Sequence, residues 1–477
     1  MELTNINKQM NKKCQIFTPK NYVEKLLDCV KYNEHLYNKK ILENACGDGK
    51  ILVTIIQRYI NDCLKNKLSK NTIQKGLFND IYAYEIDKKY YKKCIKNVNQ
   101  VLKDNDIGEI EWHIYNEDYL KAEIDIKFDY IISNPPYITY KELPIKERFF
   151  LKENFLTCKK GKYDYCYAFI EKSINSLKNN GKMSYLIPSS IFKVVSGYAL
   201  RTLMKKNLIQ IDDYTTEKLF NNALVASAII VIDNSLITPV IHYNDIVNKK
   251  CLTIHKDSLE HKWFFKKIPM DGLKRFGNFF DVAHPVATLL NKAYVIKHWE
   301  DYDENYYLCS NHKIEKSILK EAASPRILSY RKKELIIFPY KYIDGKLVKY
   351  DLDEFEQQFP HATAFLTKQR KQLEKRKIDS HAKWFEYGRS QALCTLNTKK
   401  LLLSTIVTQK IKIYELAQDC IPYAGIFVKQ KTCEYSLKDA INILTSQQFI
   451  DYAYNVGINI NGTSVRITVK DIMNYYF

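Results

Sequence analysis

Two consecutive prolines, Pro135 and Pro136, close an apolar run, so that Phe128-Asp129-Tyr130-Ile131-Ile132-Ser133 ends at Asn134-Pro135-Pro136-Tyr137. Proline has no N–H to donate, and a strand that meets two of them must stop and pass into a loop. The run has the aromatic and β-branched character of a buried strand. The sequence therefore predicts a carboxamide (Asn134), a stiff backbone carbonyl (Pro135) and an aromatic face (Tyr137) at the carboxyl end of a strand, where open α/β sheets place their ligands. Such a set suits a planar amino group. The exocyclic NH2 of a base, or a side-chain amide, can donate one hydrogen to the Asn134 oxygen and the other to the Pro135 carbonyl while Tyr137 stacks on the ring. The same four residues also fit a plain turn that ends a strand, and the rest of the chain has to decide between the two.

Upstream, three further strands end in ligand-type residues. Lys40-Ile41-Leu42-Glu43-Asn44-Ala45-Cys46-Gly47-Asp48-Gly49 runs from a short strand through small residues into a helical stripe of Leu52, Ile55, Ile56 and Tyr59. Glycines let the backbone approach a ligand, and the helix start favours an anionic group. Ile81 to Asp87 is a second strand that ends in an acid, Glu85, of the kind that accepts both hydroxyls of a ribose. Ile110 to Tyr115 alternates like a strand and stops at Asn116-Glu117-Asp118-Tyr119. Before them all, Phe17-Thr18-Pro19 precedes Val23, Leu26, Leu27 and Val30, an amphipathic helix with Thr18 as its cap and Pro19 in its first turn. After the Pro-Pro loop, Tyr167, Ile170, Ile174 and Leu177 form a helical stripe closed by Asn180-Gly181. Met183 to Ile187 is a strand stopped by Pro188, and Val225 to Ile232 is an apolar strand. Strands alternating with helices predict an α/β doubly wound parallel sheet that brings the ligand-bearing ends to one rim.

At 477 residues the chain exceeds a usual single core, and two domains are expected, 1–240 and 241–477. A formal net charge of +20 points to a polyanion, nucleic acid first and an anionic membrane surface second, although a general richness in Lys, Asn, Ile and Tyr contributes to it. The 12 cysteines form no C-x-x-C pair and the 10 histidines no H-E-x-x-H, so reduced isolated thiols and no metal site are expected. No charged-then-apolar leader and no run long enough to span a membrane is visible, which predicts a cytoplasmic protein.

Taken in order, these motifs resemble the gamma-class, NPPY-type DNA adenine-N6 methyltransferases of restriction-modification systems. The resemblance implies a Rossmann-like fold that uses S-adenosyl-L-methionine and methylates the N6 amino group of adenine in double-stranded DNA by base flipping, with a cognate restriction endonuclease as a further partner. It implies cofactor binding by Phe17, Thr18, Pro19, Glu43, Ala45, Cys46, Gly47, Glu85, Ile86, Asp118, Tyr119 and Asn134. It implies catalysis by Asn134, Pro135, Pro136 and Tyr137, with Tyr137 and Phe220 stacking on the target base. The chain departs from the usual acid-Pro-Ala of the glycine loop, where it has Glu43-Asn44-Ala45. The same chemistry serves the N4 amino group of cytosine, and an Asn-Pro-Pro-Tyr loop also serves protein-glutamine methyltransferases, so both remain alternatives.

Residues 270 to 430 resemble the target-recognition region of the same family, an α+β domain. Gly277 to Val282, Asn291 to Ile296, Glu334 to Tyr340, Leu373 to Arg376 and Trp384 to Arg389 follow its landmarks in order, without the glycine usual between the first two. Lys368, Arg370, Lys371, Lys375, Arg376 and Lys377 form a basic cluster with Trp384 and Arg389 just beyond. Such a cluster holds phosphates; equally, it is a solvated helix face. Lys368, Arg370, Lys371, Lys375, Arg376, Trp384 and Arg389 are the expected DNA contacts.

Overall fold

The structure is a computed structural model that describes residues 18–214, 226–265, 272–460 and 463–477. Phe17 and Phe220 lie outside the described residues. The chain forms two compact units, Met1–Lys267 with Ile458–Gly462, and Ile268–Gly457 with Thr463–Phe477. The first unit runs past the boundary expected at 240, because the strands around 240–255 join its sheet.

The strands of that sheet and the helices around it are α1 (Lys20–Cys29), β1 (Ile41–Glu43), α2 (Lys50–Lys65), α3 (Lys70–Asp80), β2 (Ile81–Tyr84), α4 (Lys88–Asp104), β3 (His113–Tyr115), β4 (Phe128–Ser133), α5 (Ile145–Asn154), α6 (Cys166–Ser176), β5 (Leu177–Pro188), α7 (Tyr198–Lys205), β6 (Leu208–Asp213), β7 (Ser227–Asp233), β8 (Val240–Asp245) and β9 (Lys250–His255). The strand order is β3-β2-β1-β4-β5-β7-β6-β8-β9. β1 to β5 pair in parallel, as expected. β7 does not, since it inserts antiparallel between β5 and β6. The wholly parallel sheet read from the sequence is thus corrected to a mixed one. Apolar alternation reports burial on both faces, and β7 is buried throughout, but it does not report direction. A doubly wound Rossmann-like sheet with helices on its faces is the result.

The apolar stripes bury as their periodicity requires. Tyr22, Val23, Leu26 and Leu27 of α1 and Leu52, Ile55, Ile56 and Tyr59 of α2 lie in one core with Ile41, Ile81 and Ile132. Two local expectations fail. Pro19, not Thr18, stands at the helix cap position, and no side-chain cap bond forms; the Thr18 hydroxyl is engaged elsewhere. Asn180-Gly181 does not close a helix, because β5 already begins at Leu177, which pairs with Phe128. Gly181 sits at a register shift in that ladder, where a Cβ would stand 2.7 Å from the Phe128 carbonyl oxygen.

In the second unit one four-stranded sheet is built from Phe280–Ala283, Ile426–Gln430, Lys400–Leu403 and Ile413–Leu416. Another is built from Val295–Ile296, Glu334–Ile337, Leu319–Ala323 and Ile421–Pro422. Two of the expected landmarks meet here: the Tyr387 N–H donates to the Tyr340 hydroxyl at 2.8 Å and the Tyr387 hydroxyl to the Ile337 carbonyl at 2.7 Å. No helix among the described residues is long and apolar enough to cross a membrane.

Candidate active site

The carboxyl ends of β1, β2 and β4 open into one cavity of about 260 Å³. From the first motif and the glycine loop, Thr18, Glu43, Ala45, Cys46 and Gly47 line it. Glu85, Ile86, Asp118, Tyr119, Asn134 and Pro136 of the expected set also line it. Pro19, Pro135 and Tyr137 are not in the lining. Parallel strands with their ends in register bring together segments that the chain spaces far apart.

Each wall has a physical cause. The glycine loop continues the strand, with the Cys46 N–H donating to the Tyr84 carbonyl and the Gly49 N–H to the Cys46 carbonyl, at 3.0 and 2.8 Å. Gly49 caps α2 with φ +85, and a Cβ there would stand 2.8 Å from the Cys94 Sγ of α4, so that position is closed to side chains on two counts. The Glu85 carboxylate accepts the N–H groups of Gly47 and Asp87 at 2.8 and 2.7 Å, which fixes it at the rim. Burial nonetheless raises its pKa. Burial lifts the Glu43 carboxyl further, well above the usual carboxylate range, and its Oε2 has no partner among the described residues. Ile86, beside Glu85, is 62% exposed and offers an open apolar face. The Asp118 carboxylate is held by the Leu120 N–H at 3.0 Å and by Lys121 at 3.0 Å.

Asn134 is oriented from two sides. Its Nδ2 donates to the Thr18 Oγ1 at 3.1 Å, and its Oδ1 lies 2.7 Å from the Tyr137 hydroxyl. That hydroxyl also lies 2.8 Å from the Leu186 carbonyl at the end of β5, and with one hydrogen it can serve one acceptor at a time. Burial pushes the Tyr137 phenol well above its usual pKa, so it stays a donor.

Residues that sequence reasoning passed over also contribute. Asn44, in the place of the usual proline, is buried, and its Nδ2 donates to the Ser173 hydroxyl at 2.8 Å and to the Tyr185 hydroxyl. Ser173 in turn lies 3.0 Å from the Tyr119 hydroxyl, so a polar network underlies the cavity. Tyr165 and Phe169 of the α6 region also line it. Only the departure at Asn44 was visible as a signal in the sequence.

The expected DNA-contact residues of the second unit separate into two kinds. Lys368, Arg370, Lys371 and Lys375 are exposed. Arg370 pairs with Glu374 at 2.8 Å and lies 4.9 Å from the centre of the Trp384 ring, while Arg389 pairs with Asp379 at 3.0 Å. Arg376 departs from the expectation. Its guanidinium donates to the carbonyls of Leu373, Thr288, Trp384 and Glu386, which leaves it holding three chain segments together. The expected single helix is also broken, since only Arg370–Glu374 is helical in that stretch.

Comparison with known proteins places this architecture. Residues 50–220 match the family model described as Eco57I restriction-modification methylase. The type II restriction enzyme and methyltransferase RM.Eco57I of Escherichia coli is 27% identical over 332 residues, which cover 60% of this chain and 33% of that protein. The type II methyltransferase M.AccI of Acinetobacter calcoaceticus is 28% identical over 244 residues, 49% of this chain and 39% of that one. The chain therefore spans 33% to 39% of the length of these two relatives. Among solved structures, the type IIL restriction-modification enzyme MmeI in complex with DNA superposes with a TM-score of 0.59 at 14% identity, covering 99% of this chain and 67% of that one. The DrdV–DNA complex gives 0.55 at 13% identity, covering 94% and 53%. These structural likenesses are of fold. Over residues 50–220 and the aligned stretches of these two relatives, the chain is similar in sequence to the DNA methyltransferases of restriction-modification systems.

Proposed function

We propose that this protein transfers a methyl group from S-adenosyl-L-methionine to the N6 amino group of an adenine in double-stranded DNA, as the modification enzyme of a restriction-modification system. The observation that carries the reading is the Asn134 carboxamide, fixed between Thr18 and Tyr137 on the wall of the cavity.

The cavity suits the cofactor. Glu85 keeps lone pairs free at the rim for a ribose, Ile86 offers an apolar face for a purine, and the glycine loop leaves open space beside Gly47, where nothing lies within 4 Å of a Cβ position. The buried carboxyl of Glu43 and the hydroxyl of Thr18 meet the polar end. When bound, the cofactor supplies an electrophilic methyl group on a sulfonium.

The chain's own residues do the rest. An adenine amino nitrogen has its lone pair delocalised into the ring and is a poor nucleophile. Acceptance of its two hydrogens by the Asn134 Oδ1 and the Pro135 carbonyl favours a tetrahedral nitrogen with a localised pair. No strong base is needed for that. Extrusion of the base costs a few kcal/mol, and stacking on an aromatic face such as Tyr137, worth about 1 to 3 kcal/mol per base, offsets it. Phe220 is the second stacking residue in this reading. The Tyr137 hydroxyl withdraws from Asn134 to the Leu186 carbonyl as the amino group arrives. Duplex DNA is held by the exposed Lys368, Arg370, Lys371 and Lys375, with Trp384 and Arg389 near them. A cognate endonuclease is the natural partner of such an enzyme.

Expression in a methylation-deficient host, followed by sequencing that reports modified bases, tests this directly. N6-methyladenine confined to one short motif is the expected result. N4-methylcytosine would transfer the same mechanism to the other base, and no modified base from a protein that binds the cofactor would overturn the DNA reading.

A further inference from the structure

Beside the catalytic loop the first unit presents a surface that the reaction chemistry leaves unused. Backbone pairing leads to it. The Tyr165 N–H donates to the Ile138 carbonyl at 2.9 Å, and Thr139 faces Asp164 in an antiparallel bridge, so the residues that follow Asn134–Tyr137 are tied to the segment 159–165. That segment carries Lys159, Lys160 and Lys162, all exposed and without a carboxylate partner among the described residues. The chain just before it is anchored by the buried Glu171 carboxylate, which accepts the N–H groups of Leu156 and Thr157 at 2.9 and 2.8 Å.

The lysine turn abuts a second turn, Val195–Gly197. A Cβ placed on Gly161 would stand 3.2 Å from the Ser196 Cβ. This second turn is braced by Arg201, which is 1% exposed and donates to the carbonyls of Ile191, Val194 and His261. A buried guanidinium that spends its hydrogens on backbone carbonyls makes a stiff support. On that support stands Val195, 81% exposed. Leaving an apolar side chain in water forgoes its burial energy, and a braced turn gives it no route back into the core.

We infer that Lys159, Lys160, Lys162 and Val195 form a DNA-contact surface on the catalytic unit itself, with the lysines on phosphates beside the target nucleotide and Val195 entering the space vacated by the extruded base. The inference rests on the DNA reading above. Adjacent free ammonium groups on a turn attract a polyanion without regard to sequence, which fits phosphates near a target. An apolar side chain on a rigid turn is the kind of group that fills or opens a base step in a duplex. The two properties side by side, tied by backbone hydrogen bonds to the residues after Tyr137, point to duplex DNA at the reacting nucleotide.

The test compares the wild-type chain with the triple variant K159Q/K160Q/K162Q and with V195S. All four side chains are exposed, so melting temperatures should match the wild type and folding should not confound the result. Binding to a labelled duplex of random sequence is titrated with salt. In the triple variant the slope of log affinity against log salt should become shallower by about 2 to 3, near the ~0.9 expected for each phosphate that a lysine no longer neutralises. V195S should keep the wild-type slope yet slow methyl transfer to unmethylated DNA from a methylation-deficient host by about tenfold, a part of the unstacking energy. An unchanged slope in the triple variant, or an unchanged rate in V195S, would overturn the surface. If the wild type itself bound duplex without salt dependence and methylated no DNA, the DNA reading would fall, which is a different outcome.

Discussion

Asn134 and Thr18, 116 positions apart in the chain, meet as donor and acceptor at 3.1 Å. Thr18 lies just ahead of α1 and Asn134 just after β4, so the residue proposed to accept the target amino group is oriented by the segment expected to hold the cofactor. The expected helix cap is instead a strut for the Asn134 carboxamide. Replacing Thr18 with Val removes the acceptor at nearly constant volume. At saturating cofactor, single-turnover methyl transfer should fall by about fivefold, the equivalent of one hydrogen bond of about 1 kcal/mol, with Thr18→Ser close to wild type.

Asn134→Ala removes the group proposed to accept the amino hydrogen. Transfer should drop by about 10² to 10³-fold, as when one preorganised hydrogen-bonding group is removed from an active site. Duplex affinity measured by anisotropy should stay close to wild type. Near-normal turnover in this variant would remove Asn134 from the chemistry.

Asp164 supplies a pH dependence. Burial pushes its carboxyl from 3.8 up to about 6, against the N–H groups of Cys166 and Ile138, which favour the carboxylate. An acid with a raised folded pKa contributes most below the unfolded value and loses that contribution as pH rises through the window from 3.8 to about 6. Asp164→Asn removes the titration. The variant should gain stability over wild type at pH 8, on the order of 3 kcal/mol, and much less at pH 4, as measured by chemical unfolding at the two pH values.

Arg376 and its exposed neighbours should behave oppositely. Arg376→Ala leaves backbone carbonyls of three segments without their donor, and the second unit should lose about 2 to 4 kcal/mol in urea unfolding. Lys368, Lys371 and Lys375 changed to Gln should leave stability within about 0.5 kcal/mol and weaken duplex binding, with a shallower salt slope. A destabilised lysine variant or a stable Arg376→Ala would reverse these roles.

Lys400 is buried in the second unit, its pKa pulled down to about 8 by desolvation, with its ammonium hydrogens on the carbonyls of Ala417, Gln418 and Cys420 at 2.9, 3.0 and 2.9 Å. Lys400→Met keeps the volume and removes the donors. A loss of about 2 to 3 kcal/mol in unfolding free energy is expected.

Local chemistry was legible in the chain by itself. Two prolines end β4 wherever the strand lies, a glycine with positive φ is needed at position 49 to enter α2, and an acid after β2 stays at a strand end, so the order of ligand-bearing loops could be read directly. Only the tertiary structure decided direction and partnership. β7 is as apolar as a parallel strand and runs antiparallel, because burial on both faces gives the same pattern in either direction. Thr18 has the composition of a helix cap and Arg376 that of a phosphate contact, but each is engaged by groups far away in the chain, and a side chain's hydrogen-bond partners are set by what the fold brings within about 3 Å of it. The rim of the sheet was a matter of sequence; the orientation of Asn134 on that rim was a matter of packing.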